Sequence, residues 1–111
     1  MKIENHKNFV VLEDEKDDIT DFAAFIERQV PSKYKGQNVV LNLLKYQSLQ
    51  LPELLQFLKT STLHRKAKHS FVIVNDAMDV DDIPFEMLVV PTLQEAGDII
   101  EMEDIERDLG F

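Results

Sequence analysis

Four short apolar runs punctuate the chain and predict buried β-strands. The runs are residues 9–12, 39–44, 71–74 and 87–90, and most of their side chains are β-branched or bulky. Runs of this length without regular polar alternation are typical of strands that are covered on both faces. Residues 1–5 predict a further strand at the sheet edge, which turns back through residues 6–8 and pairs antiparallel with the first run.

The apolar period changes between the first two runs and predicts an amphipathic helix. Asp18 precedes the apolar stripe and is expected to cap the helix, and Pro31 is expected to end it. The stripe follows the spacing i, i+3, i+4, i+7, i+11 and consists of Ile19, Phe22, Ala23, Ile26 and Val30.

A second helix is predicted over residues 52–66, because Pro52 suits the first turn, where its missing N–H costs nothing. Its expected buried stripe is Leu51, Leu54, Leu55, Leu58 and Leu63. A third helix is predicted to begin at Thr92, which forms a capping box with Glu95 three residues later. Its expected inward positions are Leu93, Ala96, Ile100, Ile105 and Leu109.

Strands that alternate with helices imply right-handed crossovers and a mostly parallel sheet. The sequence therefore predicts an α/β fold with one domain over residues 1–111. The sheet is expected to be mixed, with four to five strands flanked by three to four helices. Residues 75–86 are too polar and too few for a full helix, so a loop or a single turn is expected there.

The charge balance narrows the classes of partner. The chain has 21 Asp and Glu against 12 Lys and Arg, a net charge of −9. Such a chain is repelled by phosphate backbones and anionic lipid, so neither a nucleic-acid nor a membrane partner is expected. The chain has no cysteine, which excludes disulfides and thiolate metal sites. That composition is consistent with a reducing compartment, and a cytoplasmic location is expected.

A carboxylate cluster follows the third apolar run and is the strongest candidate for a cation site. It consists of Asp76, Asp79, Asp81 and Asp82. A calcium loop of the EF-hand type would need Gly at its sixth position and Glu at its twelfth, and this chain has Asp81 and Met87 there. A solvated acidic loop is the preferred interpretation, and a divalent-metal site is the alternative; no metal ligands are assigned.

No constellation of residues predicts catalysis. Gly36, Gly97 and Gly110 are isolated, so neither a nucleophile elbow nor a phosphate-cradling loop is present. His64 and His69 lack the spacing of a zinc helix and are interpreted as part of a basic helix end, with a docking patch for an acidic partner as the alternative. The acidic tail after residue 95 is interpreted as the solvated face of the last helix, with a cationic partner as the minority alternative. A non-enzymatic protein without a cofactor is expected.

The last 23 residues, VVPTLQEAGDIIEMEDIERDLGF, carry a family resemblance. Their Pro-Thr-Leu-x-Glu-Ala entry into the last helix resembles the closing element of STAS domains, the sulphate transporter and anti-sigma factor antagonist family. The acidic continuation is similar to a bacterial subgroup of small, stand-alone members. The order of predicted strands and helices is also similar, so the resemblance covers nearly the whole chain.

The resemblance implies a regulatory function. Family members of this kind bind an anti-sigma factor with a kinase-like fold, which phosphorylates a serine in an Asp-Ser-Ser-Gly motif before the second helix. Aligned by the preceding strand, this motif falls on four residues that do not match it, and the phosphoacceptor position holds Pro52, which has no hydroxyl. The motif positions here are Gln50, Leu51, Pro52 and Glu53.

The resemblance thus implies a STAS-like interaction module without the serine switch. The expected partner is an anti-sigma-type regulator with a kinase-like fold or another STAS-like chain. The expected binding surface consists of Gln50, Leu51, Pro52, Glu53, Gln56, Lys59 and Thr60. The alternative functions are a small-ligand or nucleotide site at the same helix N-terminus and the metal site in the acidic loop.

Overall fold

Five strands form one mixed sheet in the order β1-β2-β3-β4-β5, within a computed structural model that describes residues 1–110. The strands are Lys2–Asn5 (β1), Val10–Glu13 (β2), Val39–Asn42 (β3), Phe71–Val74 (β4) and Val89–Val90 (β5). β1 runs antiparallel to β2, and β2 to β5 run parallel to one another. The predicted edge hairpin and the predicted α/β class are both confirmed.

Four α-helices and one short 3-10 helix connect or follow these strands. They are Ile19–Lys33 (α1), Leu51–Leu55 (α2), Leu58–Lys66 (α3), the 3-10 helix Val80–Asp82 and Leu93–Asp108 (α4). Because each parallel strand lies beside its predecessor, right-handed crossovers put α1, α2, α3 and the β4–β5 loop on one face of the sheet. α4 covers the other face, where Ala96 and Ile100 pack against Val40 and Val72.

α1 begins as its sequence predicts and ends later. The Asp18 carboxylate accepts a hydrogen bond from the Asp21 N–H at 3.0 Å, and the predicted stripe is buried. Pro31 does not end the helix, which continues to Lys33. Pro31 lies in the last turn, where its lack of an N–H removes a single bond. Tyr34, the residue after Lys33, caps the helix: its side chain is buried, and its own N–H donates to the Val30 carbonyl at 3.1 Å.

The predicted second helix is divided into α2 and α3, and most of its predicted stripe is exposed. Leu54 is buried as expected, but Leu51, Leu55 and Leu63 are 37%, 40% and 51% exposed. Polar side chains take inward positions on α3 because they pack against α1 and β4, so apolar periodicity alone indicated the wrong face. The buried residues of this segment are Leu54, Phe57, Thr60, Ser61 and His64.

α4 begins at the predicted cap, with the Thr92 hydroxyl accepting from the Glu95 N–H at 3.1 Å. Its second half departs from the prediction, because Ile105 and Leu109 are 54% and 67% exposed. Beyond Ile100, polar side chains of α4 instead contact the sheet and α3, as described below.

The segment between β4 and β5 is a loop with one 3-10 turn, as predicted. The predicted last strand starts later than expected, at Val89. Met87 is buried, but its N–H donates to the Pro84 carbonyl at 3.0 Å in a turn and does not join the sheet. Across residues 1–110, no helix has the length and apolar character needed to cross a membrane.

Candidate functional site

Asn75 joins two chain segments at the carboxyl edge of the sheet, where β2, β3 and β4 end. Its buried side-chain amide donates to the carbonyls of Leu43 and Tyr46 at 2.9 and 3.0 Å. Its side-chain oxygen accepts from the N–H groups of Ala77 and Met78 at 2.9 and 3.2 Å. One side chain therefore holds the start of the β4–β5 loop against the segment that leads into α2.

A second set of contacts joins that segment to the end of β2. The Tyr46 hydroxyl donates to the Asp14 carboxylate at 2.6 Å. Burial and this neighbouring carboxylate raise the pKa of the Tyr46 phenol well above its ordinary value, so the phenol remains a donor. Lys45 contacts the Asp17 carboxylate at 3.3 Å. The segment that leads into α2 is therefore held both by residues that follow β2 and by Asn75, which follows β4.

The N-terminus of α2 is capped by its own glutamate. The Glu53 carboxylate accepts a hydrogen bond from the Gln50 N–H at 2.9 Å. Gln50 is in an extended conformation, and Pro52 lies in the first turn. A carboxylate in this position satisfies a free backbone donor and complements the helix dipole. It also places negative charge where the nucleotide alternative would need to bind a phosphate.

The outward face of α2 is apolar, and we call Gln50, Leu51, Pro52 and Leu55 the α2 surface. Leu51 and Leu55 lie one helical turn apart and are 37% and 40% exposed, and Gln50 and Pro52 are exposed beside them. The backbone beneath them is anchored, since Leu54 and Phe57 are wholly buried and Phe57 packs edge-on against Phe22 with ring centroids 6.2 Å apart.

The remaining predicted surface residues have other surroundings. The Gln56 amide donates to the Thr20 hydroxyl at 3.2 Å, and the Lys59 amine contacts the Glu27 carboxylate at 3.4 Å, so both polar groups are directed to α1. Thr60 is only 2% exposed. It lies on the inward face of α3 beside Ser61 and His64, so its side chain is not part of the exposed surface of this helix.

The β4–β5 loop exposes two large apolar side chains that sequence patterns did not indicate. Val80 and Phe85 are 80% and 96% exposed, while Met78 and Ile83 of the same loop pack against the core. The loop lies on the same sheet face as α2. Val80 stands between two aspartates and Phe85 between Pro84 and Glu86, so neither belongs to a periodic pattern, and only the tertiary structure distinguishes them from core residues.

The acidic cluster in this loop does not converge. The Asp76 carboxylate accepts from the Gln47 amide at 3.3 Å, and the Asp79 carboxylate accepts from the Asp81 N–H at 2.9 Å within the 3-10 turn. Over the described residues 1–110, no group of three or more His, Asp or Glu side chains is arranged to hold a metal ion. Asp76 and Asp79 instead make hydrogen bonds that stabilise the loop.

The amino edge of the sheet, where β2, β3 and β4 begin, carries a polar cluster that sequence reasoning missed. The Ser70 hydroxyl donates to the Glu103 carboxylate at 2.6 Å and accepts from the Arg107 guanidinium at 3.0 Å. Arg65 pairs with the other side of Glu103. The acidic tail was interpreted as solvated throughout, but Glu103 turns inward and ties α4 to α3 and β4.

Asn38 extends the same cluster to β2 and to the rest of α4. Its amide donates to the Asn8 carbonyl at 2.9 Å and to the Asp104 carboxylate at 3.1 Å, and its oxygen accepts from the Ser70 N–H at 2.8 Å. Arg107 also contacts Asp104 at 2.6 Å. We call Asn38, Arg65, Ser70, Glu103, Asp104 and Arg107 the amino-edge cluster.

The charges of this cluster reinforce ionisation of its acids. Burial opposes ionisation of Glu103, but hydrogen bonds from Arg65 and Ser70 and the charge of Arg107 outweigh it and hold the pKa of Glu103 below its ordinary value. For Asp104, burial is likewise outweighed by Arg107 and Asn38, and the pKa is lowered.

Nearby, burial lowers the pKa of His64 and favours the neutral ring, whose Nε2 lies 2.6 Å from the Gln37 carbonyl. The neutral ring donates one hydrogen bond there. The basic C-terminal turn of α3 is therefore only partly exposed to solvent, because His64 is buried and Arg65 is paired with Glu103.

Comparison with known proteins adds no relative to this picture. No protein-family model matches the sequence, and no curated protein matches it either.

Proposed function

We propose that this chain is a non-enzymatic, cytoplasmic protein-interaction module of the STAS-like kind that binds its partner through the α2 surface without a phosphorylation switch. The expected partner is an anti-sigma-type regulator with a kinase-like fold or another STAS-like chain. The proposal unites the sequence resemblance with the chemistry of the surface at the matching positions.

The observation that carries the proposal is the exposure of Leu51 and Leu55 on an anchored helix. Large apolar side chains at 37% and 40% exposure lie side by side above the wholly buried Leu54. An exposed apolar patch on an immobile backbone loses little conformational entropy on binding, which favours a protein partner. Gln50 supplies a polar rim beside it.

The local chemistry supports binding that phosphate does not control. Pro52 has no hydroxyl, and the Glu53 carboxylate already accepts the hydrogen bond of the Gln50 N–H. A phosphate group near this helix start would be repelled by the negative charge of the Glu53 carboxylate. Binding is therefore expected to persist in the presence of a kinase and ATP, so the chain would act as a constitutive antagonist, a competitor or a scaffold.

The test is affinity capture from the native lysate, with and without added ATP and Mg²⁺, followed by mass spectrometry. The bait proteins are the wild type, the double variant Leu51→Gln/Leu55→Gln and the control Leu63→Gln. Leu63 is a matched control because it is 51% exposed on α3, outside the α2 surface. A fourth bait, Phe85→Ser, determines whether the partner also contacts the loop.

The expected result is a kinase-fold regulator or STAS-like chain that the wild type and Leu63→Gln retain equally in both conditions. The double variant should lose at least about tenfold of it, since each buried leucine contributes roughly 1.5–3 kcal/mol. The proposal is wrong if the double variant retains the same partner as the wild type. It is also wrong if peptide mapping by mass spectrometry finds phosphate on Ser48, two residues before the motif positions, or on Thr60, and this phosphate abolishes binding.

A further inference from the structure

α4 has a second apolar face that points away from the sheet. Met102 and Ile105 of α4 are 55% and 54% exposed, and Leu109, the residue that caps the helix end, is 67% exposed. At about 100° per residue these positions fall within one stripe about 60° wide. Ala96 and Ile100, which pack on the sheet, lie on the opposite side of the helix. The stripe is about two turns long, and no part of the chain within residues 1–110 covers it.

Acidic side chains flank this stripe without neutralising partners. The ion pairs that α4 forms within residues 1–110 involve Glu103 and Asp104, both on the side of the amino-edge cluster. The four exposed acids around the stripe form no ion pair within the described chain. They are Asp98, Glu101, Glu106 and Asp108.

The charge pattern decides what can cover the stripe. A second copy packed against it would bring one set of unpaired carboxylates against another, and like charges at an interface are costly. Anionic lipid would be repelled for the same reason. A cationic helix with an apolar face satisfies both features, because its leucines would cover the stripe and its lysines or arginines would meet the flanking acids.

We infer that the outer face of α4 is a docking surface for a basic amphipathic helix of a partner protein. The stripe has the length over which two helices pack side by side, and α4 is held to the sheet by Ile100 and the amino-edge cluster. This surface lies on the opposite sheet face from the α2 surface, so the two surfaces do not overlap.

The experiment measures binding of a labelled synthetic helix by fluorescence anisotropy. The probe has about five turns, with leucines in one stripe and lysines elsewhere. A control peptide has the same composition with its leucines spread around the helix. The protein variants are the triple variant Met102→Gln/Ile105→Gln/Leu109→Gln, the charge variant Glu101→Gln/Glu106→Gln/Asp108→Asn, and the control Leu63→Gln, whose leucine is on the other face of the sheet.

The wild type and Leu63→Gln should bind the striped probe equally, and the triple variant should bind it at least about tenfold more weakly. The charge variant should bind more weakly at low salt and show a smaller salt dependence than the wild type, because exposed ion pairs are screened over about 8 Å at physiological ionic strength. Amide chemical-shift changes in the wild type should cluster on α4.

The inference is overturned if the control peptide binds as tightly as the striped probe, since simple charge attraction then explains binding. It is also overturned if the triple variant keeps wild-type affinity, or if sedimentation shows a wild-type dimer that the triple variant lacks. If the triple variant does not fold, the charge variant and the chemical-shift map decide the question by themselves.

Discussion

Both edges of the sheet link chain segments that are distant in sequence, mainly through ion pairs at the amino edge and mainly through one buried neutral amide at the carboxyl edge, where Lys45 and Asp17 add a single ion pair. At the amino edge, charged side chains link α4 to α3 and to the starts of the strands through Glu103 and Arg107. At the carboxyl edge, the neutral amide of Asn75 makes four hydrogen bonds to two chain segments. Both edges tie together connections that are distant in sequence.

The two edges differ in which side chains are paired within the fold and which are exposed to solvent. In the amino-edge cluster, the charged side chains form ion pairs and hydrogen bonds with one another, so their polar groups are satisfied within the fold. At the carboxyl edge, Asn75 bonds only to backbone groups of the segments on either side, and Leu51 and Leu55 of the nearby α2 are exposed. A neutral, buried anchor is insensitive to pH and salt, whereas an ionic one is not.

The largest expected effect comes from removing the neutral anchor. Asn75→Ala should lower the free energy of unfolding by about 3 kcal/mol, because buried carbonyls and N–H groups lose their partners. Amide hydrogen exchange at Ala77 and Met78 should accelerate, as measured by NMR. Asn42→Ala is the matched control: Asn42 is half-buried and makes two side-chain hydrogen bonds, so about 1 kcal/mol is expected. Equal losses in the two variants would contradict the anchoring role of Asn75.

The ionic edge should be weaker and dependent on pH. Glu103→Gln should cost about 1–2 kcal/mol near neutral pH, since it removes one charge from a partly buried pair. The folded pKa of Glu103 is lowered, so its stabilisation is complete above its ordinary pKa of about 4.3 and is lost as pH falls through the folded value.

Urea titrations at several pH values measure this effect. The wild type should lose stability below about pH 4.3, and Glu103→Gln should lose less over the same range. Glu101→Gln is the control, because Glu101 is exposed and its variant should stay within about 0.5 kcal/mol of the wild type. An unchanged acid dependence in Glu103→Gln would show that this pair does not stabilise the amino edge.

The smallest expected effect is a gain in stability at the turn that leads into the amino edge. Lys68 adopts a φ of 71°, a left-handed conformation that disfavours residues with a Cβ. Lys68→Gly should raise the free energy of unfolding by about 0.5–1 kcal/mol in thermal or urea unfolding. Its neighbour Ala67 has a φ of −80°, so the control Ala67→Gly should be destabilising. A loss of stability in Lys68→Gly would mean that the lysine side chain makes a stabilising contact there.

Sequence patterns predicted the elements whose signals are local. The α1 stripe, its Asp18 cap, the Thr92 cap and the edge hairpin all follow from neighbours in the chain, and the structure confirms them. The prediction for the second helix was wrong in its exposed leucines because it relied on apolar periodicity. Ser61 and His64 are buried there, and their burial depends on α1 and β4, which are distant in sequence.

The candidate site was predicted only in part for the same reason. Pro52 was named from the resemblance and is exposed, whereas Thr60 was named and is buried. Leu51 was named both for the binding surface and for the buried stripe, and it is exposed. Leu55 was expected in the core and instead completes the α2 surface. Phe85 carried no pattern at all, and its exposure follows from the way the loop crosses the sheet face on Met78 and Ile83.

By itself, the sequence determined the order of strands and helices, the α/β class and the helix caps, because these depend on period and on hydrogen bonds between residues a few positions apart. Only the tertiary structure decided which leucines face solvent and which acids turn inward. The sequence does not distinguish Glu103 from Glu106, because both are glutamates in the same acidic helix. One meets Arg65 and Ser70 across the fold and the other is exposed, because burial is set by what packs against a helix face.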